Sequence, residues 1–172
     1  MSPGEATNSA DNAMELIHSF LTAALILFFY MTALFLVALK RKDNSIADVV
    51  WGTGFILVAW LTLIVYGSFT PRQWIVNLLV LIWGLRLAIR IHLRDKGKGE
   101  DVRYKKWRQE WGKYFVIRSY LQVFLLQGCL LLLIITPVLF INTYDAGTPG
   151  LLDVVGVTVW LLGFVFESVG DW

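Results

Sequence analysis

The chain has 172 residues, 57% of them hydrophobic and 15% aromatic, with 16% charged and a mean hydropathy of +0.63. Soluble domains sit near roughly 45–50% apolar and 25% charged, and disorder requires low hydrophobicity with high charge, so both classes are excluded. A single cysteine, Cys129, excludes a disulfide framework and a cysteine zinc site; the formal net charge of +2 matters less than where the charges fall.

These values predict an all-α, polytopic integral membrane bundle with about five transmembrane helices plus one interfacial amphipathic helix. A bilayer core takes roughly 20 apolar residues per helix, and five runs reach that length. In chain order they are 16–39, 49–69, 74–93, 120–141 and 151–169. Residues 1–15 form an N-terminal tail, and 16–172 form a single transmembrane domain. The first run has an acidic flank (Glu5, Asp11, Glu15) and is followed by Lys40-Arg41-Lys42. That order is a signal anchor, not a cleavable signal peptide. Period-two alternation is absent, so a barrel is not supported.

The second run begins at Ser45-Ile-Ala-Asp48, which reads as a capping box with Ser45 as N-cap and Asp48 at the third position. Gly52 and Gly54 then permit close helix contact. In the third run, Trp83, Arg86 and Arg90 share one helical face, and Arg94 continues it. Arg90 can snorkel to the headgroups. Arg86 lies about 10 Å below the helix end, where a charge must face protein or a wet cavity. A helix-to-helix salt bridge and an anion-binding face both satisfy that demand.

The polar loop 94–119 opens with Gly97 and Gly99, which break the helix. Tyr104, Trp107, Trp111 and Tyr114 then recur at spacings of three and four, with Lys105, Lys106, Gln109, Glu110 and Lys113 opposite. Such a helix is expected in the headgroup plane with its aromatics down, and its cations touch anionic lipid or a phosphate-bearing ligand. The loop is no Walker A motif, and the aromatics suit an interface belt better than base stacking, so no nucleic-acid partner is expected. In the fourth run, Gln122 and Gln127 are expected to hydrogen-bond across helices. In the fifth, Thr148 and Pro149 mark a helix start, Asp153 caps it, and Glu167 and Asp171 lie on one face at the depth of the arginines. Two carboxylates at that spacing repel unless cations intervene, so Arg86 and Arg90 are the expected partners. The alternatives are a plain ion-pair cluster and a polar cavity in which carboxylates accept ribose or amide hydrogens and arginines hold phosphate. His18 and His92 have no partner at ligand spacing, so no metal is expected.

Twelve of the fifteen basic residues fall in two loops, after the first and third runs, against Arg72 alone on the other side. The positive-inside rule therefore places the N-terminus outside and the C-terminus in the cytoplasm.

Four strings together resemble one family: Asp48-Val-Val-Trp51-Gly52, Trp83-Gly84-Leu85-Arg86-Leu87, Gly97-Lys98-Gly99-Glu100-Asp101-Val-Arg103-Tyr104 and Gly163-Phe-Val-Phe166-Glu167-Ser-Val-Gly170-Asp171. They resemble domain of unknown function 1295, which is similar to steroid 5-alpha-reductases and more remotely to isoprenylcysteine carboxyl methyltransferases. The resemblance implies a cofactor cavity open to the cytoplasm, NADPH as cofactor and hydride transfer to a conjugated double bond of a lipid or steroid. Glu167 and Asp171 match the reductases' Asn-x-x-x-Asp segment, and Arg86 matches their arginine on the corresponding span. Trp83 falls near their catalytic tyrosine, and Asp48 stands in for an early glutamate. The expected cofactor contacts are then Arg86, Arg90, Arg94, Glu100, Asp101, Arg103, Tyr104, Glu167 and Asp171, with Asp48 and Trp83 at the catalytic positions. The family pattern continues past Trp172 with an Arg-His-Pro-Asn-Tyr motif, so the chain is expected to be a fragment or a truncated form that is inactive alone. S-adenosylmethionine in the same cavity, or a non-catalytic scaffold with structural ion pairs, are the alternatives.

Overall fold

Long apolar stretches with few glycine or proline breaks leave helix as the way to satisfy the backbone in lipid. The computed structural model describes residues 3–144 and 147–171, with side chains from Asp11 onward. It is helical throughout, with no strand among the described residues. The order is α1 (Pro3–Arg41), α2 (Ile46–Tyr66), α3 (Pro71–Asp95), α4 (Val102–Trp111), a 3₁₀ turn (Gly112–Tyr114), α5 (Phe115–Arg118), a π-helical stretch (Ser119–Leu125), α6 (Leu126–Tyr144) and α7 (Leu151–Gly170). Five helices are long and apolar enough to cross a membrane, the fourth being the run that ends in α6.

Each span starts or ends within a few residues of its expected position. The exception is the expected N-terminal tail, which is helical from Pro3, because nothing after Gly4 interrupts the rod. The third helix starts earlier than its hydropathy suggests. Thr70 accepts from the Gln73 backbone, the Gln73 side chain accepts from Thr70, and Pro71 occupies the first turn. This is a complete capping box.

α2 and α3 meet through their glycines. A Cβ on Gly52 would stand 2.6 Å from the Gly84 carbonyl oxygen, and a Cβ on Gly84 would stand 2.7 Å from that of Gly52. The backbones therefore touch, as small residues allow between membrane helices. Gly54 instead faces Leu131 and Tyr30. The core lies where α1, α2 and α6 converge around Met31, Phe55, Val58, Phe124, Leu131 and Leu139.

Away from the basic loop, a buried amide network joins three helices. Asn142 Nδ2 donates to Ala59 O and Thr62 Oγ1, Asn77 Nδ2 donates to Asn142 Oδ1, and Gln73 Nε2 donates to the carbonyls of Ile141 and Asn142. Gln73, Asn77 and Asn142 are at most 1% exposed.

α7 differs from the rest, since none of its residues is buried. Its half-buried positions are Asp153, Val157, Trp160, Phe164, Glu167, Ser168 and Asp171. These recur at spacings of three and four and form a single inward stripe, polar at both ends and aromatic in the middle.

Candidate functional site

The residues singled out in the sequence separate into two clusters. The first is at the loop end of the bundle and pins α4 to the α1–α2 turn. Asp48 Oδ2 accepts from Arg103 Nη2 at 2.8 Å, and Oδ1 accepts from the Tyr104 hydroxyl at 2.9 Å. Glu100 accepts from the Asn44 backbone at 3.0 Å and pairs with Arg108 at 2.7 Å. Ser45 Oγ accepts from the Asp101 backbone at 2.7 Å, and Asp101 caps α4 by accepting from Arg103 N. The Arg103 guanidinium and backbone N–H hold the Asp101 carboxyl below its ordinary value.

These bonds overturn two expectations. Ser45 makes no side-chain cap on α2, and neither it nor Asp48 closes a capping box. Both groups serve the 100–104 segment instead: Asp48 takes the Arg103 cation and the Tyr104 hydroxyl, and Ser45 Oγ takes the Asp101 N–H. α4 does form, but its aromatics do not turn toward headgroups. Tyr104 is 2% exposed, and Trp107 and Trp111 pack on the core, their rings 5.1 Å apart and nearly parallel. Only Tyr114 of the four stays exposed. The opposite face, with Lys105, Lys106 and Lys113, is exposed as the spacing implies.

The second cluster lies between α3 and α7. Arg86 Nη1 donates to Asp171 Oδ2 at 2.6 Å. Arg86 Nη2 lies 2.5 Å from Glu167 Oε1, an ion-pair contact outside hydrogen-bond geometry, and Nε is buried without a hydrogen bond. Trp83 Nε1 donates to Glu167 Oε2 at 2.9 Å, and the Phe164 ring lies 5.2 Å from the guanidinium carbon. The expected convergence of Arg86 with Glu167 and Asp171 is thus present. Arg90 does not join it: one turn further on it is exposed and pairs with no carboxylate among the described residues. Arg94 turns to Asp95 at 2.7 Å. At the far end of α7, Arg72 Nε donates to Asp153 Oδ1 at 2.7 Å, while Asp153 Oδ2 accepts from Gly150 N, the cap expected there.

Among the cavities that flank these clusters, two are lined by residues singled out in the sequence as site residues. One of about 380 Å³ opens at the loop end, lined by Asp48, Trp51, Leu87, Ile91, Arg94, Arg103, Gln127 and Leu130. Trp51 Nε1 and Gln127 Oε1 are buried there without partners, although Gln127 Nε2 donates to Asp48 at 3.5 Å. Gln122, expected to bond across helices, is exposed and makes no side-chain hydrogen bond among the described residues. The other cavity, about 350 Å³, is deeper and nearly all apolar, lined by Phe55, Val80, Trp83, Ile134, Ile135, Val138, Trp160, Gly163, Phe164 and Glu167. The rings of Trp51, Phe55 and Trp83 contact in series at 5.2 Å each, Trp51 lining the first space and Phe55 and Trp83 the second.

A phosphate-bearing cofactor fits these residues in part. Arg94 and Arg103 line the loop-end cavity with side chains 47% and 58% exposed, so each keeps donors free beyond its carboxylate partner. Ligand sites run from roughly 300 to 1,000 Å³, so this cavity takes one end of a dinucleotide, not the whole. Glu100 and Tyr104 are committed to the loop. Among the described residues, no group of three His, Cys, Asp or Glu is placed to hold a metal.

Fold and site together define a helical protein with the spans of an integral membrane protein. The chain belongs to the family described as Protein of unknown function (DUF1295), whose model matches residues 34–172. No curated protein and no solved structure matches it.

Proposed function

We propose that the chain is part of a membrane-bound, NADPH-dependent reductase that acts on a double bond of a lipid or steroid. The observation that carries this reading is a pair of cavities linked by one series of aromatic contacts. One is lined by two guanidinium groups and a carboxylate among apolar side chains, the other is nearly all apolar, and the contacting rings of Trp51, Phe55 and Trp83 run from the first lining to the second. A phosphate or ribose end suits the first space and a lipid body the second. NADPH supplies hydride when bound. On this chain, Arg94 and Arg103 hold phosphate, and the open side of Asp171 accepts ribose or amide hydrogens. Positive charge at the loop end orients that end to the cytoplasm, where such cofactors are found.

A second reading is favoured by one feature. Arg86 already faces two carboxylates, which suits a structural pair that ties α7 to α3 in a non-catalytic protein. Titration of the purified full chain in detergent with NADPH and with S-adenosylmethionine separates the readings. Saturable NADPH binding that weakens at least roughly tenfold in Arg103→Ala supports the reductase, since a charge-assisted phosphate contact is worth that much. Binding of S-adenosylmethionine alone points to a methyltransferase, and binding of neither leaves the structural reading.

A further inference from the structure

The deeper cavity has one charged residue in its wall, and that residue is a carboxylate. Phe55, Val80, Ile134, Val138 and Phe164 offer a ligand no hydrogen bond. Trp83 and Trp160 each carry an indole N–H; that of Trp83 is already given to Glu167 Oε2, and that of Trp160 makes no hydrogen bond among the described residues. Glu167 is 38% exposed at its side chain and paired with Arg86 on Oε1. As the carboxylate half of an ion pair it accepts hydrogen bonds and donates none. Arg86 itself does not reach the cavity wall. The rings of Trp160 and Phe164 stack at 4.8 Å and 15° and give the space a flat side, and a Cβ at Gly163 would meet nothing within 4 Å.

We infer that the cavity selects a flat or branched apolar lipid whose polar end is a hydrogen-bond donor, a hydroxyl or protonated amine, received by Glu167. An acceptor-only ketone is disfavoured. A ketone oxygen against Glu167 would leave two acceptors facing each other in an apolar setting, each without a proton to share. A hydroxyl completes the lone pairs that Arg86 and Trp83 leave open. The two carboxylates against one guanidinium leave the cluster with a net negative charge, which also favours a donor over an acceptor. This inference rests on the proposed lipid-binding role of the same cavity and names the class of lipid.

The test is equilibrium binding of a tritiated saturated steroid 3-alcohol and of its 3-ketone to the full chain in nanodiscs. The alcohol is expected to bind on the order of tenfold more tightly. In Glu167→Gln, whose amide donates as well as accepts, the preference is expected to shrink severalfold. Gly163→Leu fills the space and is expected to remove both ligands. Equal binding of the two steroids, or tighter binding of the ketone, overturns the donor rule while the lipid cavity stands. Absence of binding by either overturns the lipid cavity itself, and unchanged binding in Gly163→Leu overturns its location. If Glu167→Gln does not fold, the alcohol-to-ketone ratio on the unsubstituted chain still decides.

Discussion

The loop-end clamp and the α7 clamp use the same chemistry, arginine against carboxylate, yet hold the protein in different ways. At the loop end, Asp48, Glu100 and Ser45 each receive partners from the loop or α4, and Tyr104 of that segment is buried in the core. Removing any one bond leaves several others in place. α7 is tied at its two ends by Arg72–Asp153 and Arg86–Glu167/Asp171, with no buried residue between. Polar bonds backed by packing fix a segment. Polar bonds alone leave a seam, and here the seam is an apolar cavity.

Substitutions can break this contrast, and the largest effect is expected at the loop end. Asp48→Ala strands the Tyr104 hydroxyl and one side of Arg103, and is expected to cost about 3 kcal/mol, as for a partly buried pair that loses one member. Thermal unfolding in detergent should fall by several degrees. Next comes Asn142→Leu, which unlinks the buried amide network and is expected to cost about 2 kcal/mol. That loss should appear in the same melting curve, and it serves as the reference for a purely structural polar site. Arg86→Ala leaves Glu167 and Asp171 facing each other, but both are more than a third exposed, so solvent screening limits the cost to about 1 kcal/mol. Global melting should barely move, while amide hydrogen exchange over residues 164–171 should accelerate. The smallest effect concerns acid. The folded Asp101 carboxyl lies below its ordinary value because of Arg103. Its stabilisation is therefore complete above the ordinary carboxylate range and disappears as pH falls through the lowered value. Melting curves from pH 6 to 3 should steepen slightly less in Asp101→Asn.

The fold was legible because spans announce themselves by length and apolarity. The Arg86–Glu167–Asp171 meeting was legible as well, since a charge inside a span demands a partner and only α7 supplied carboxylates at that depth. Other features shared their signal with something simpler. Ser45 and Asp48 have the spacing of a helix cap and are instead a tertiary anchor, because sequence spacing does not reveal that Arg103 and Tyr104 return to the same place. Arg90 shares a broad face with Arg86, but the carboxylates of Glu167 and Asp171 are both taken up by Arg86. The aromatic face of α4 has the pattern of an interfacial helix, and burial against protein or headgroup looks the same in periodicity. Asn77 and Asn142 are single polar residues in apolar runs, with no spacing to join them. The Thr70–Gln73 box, by contrast, was readable from Thr-Pro-Arg-Gln.

Photolabelling the full chain in nanodiscs with a diazirine-bearing steroid alcohol, followed by peptide mapping, tests the α7 seam most directly. Label concentrated on residues 134–138 and 160–167, and displaced by unlabelled alcohol, is the predicted result. Label spread over the lipid-facing surface of α1, with none displaced from α6 and α7, would contradict a binding cavity there.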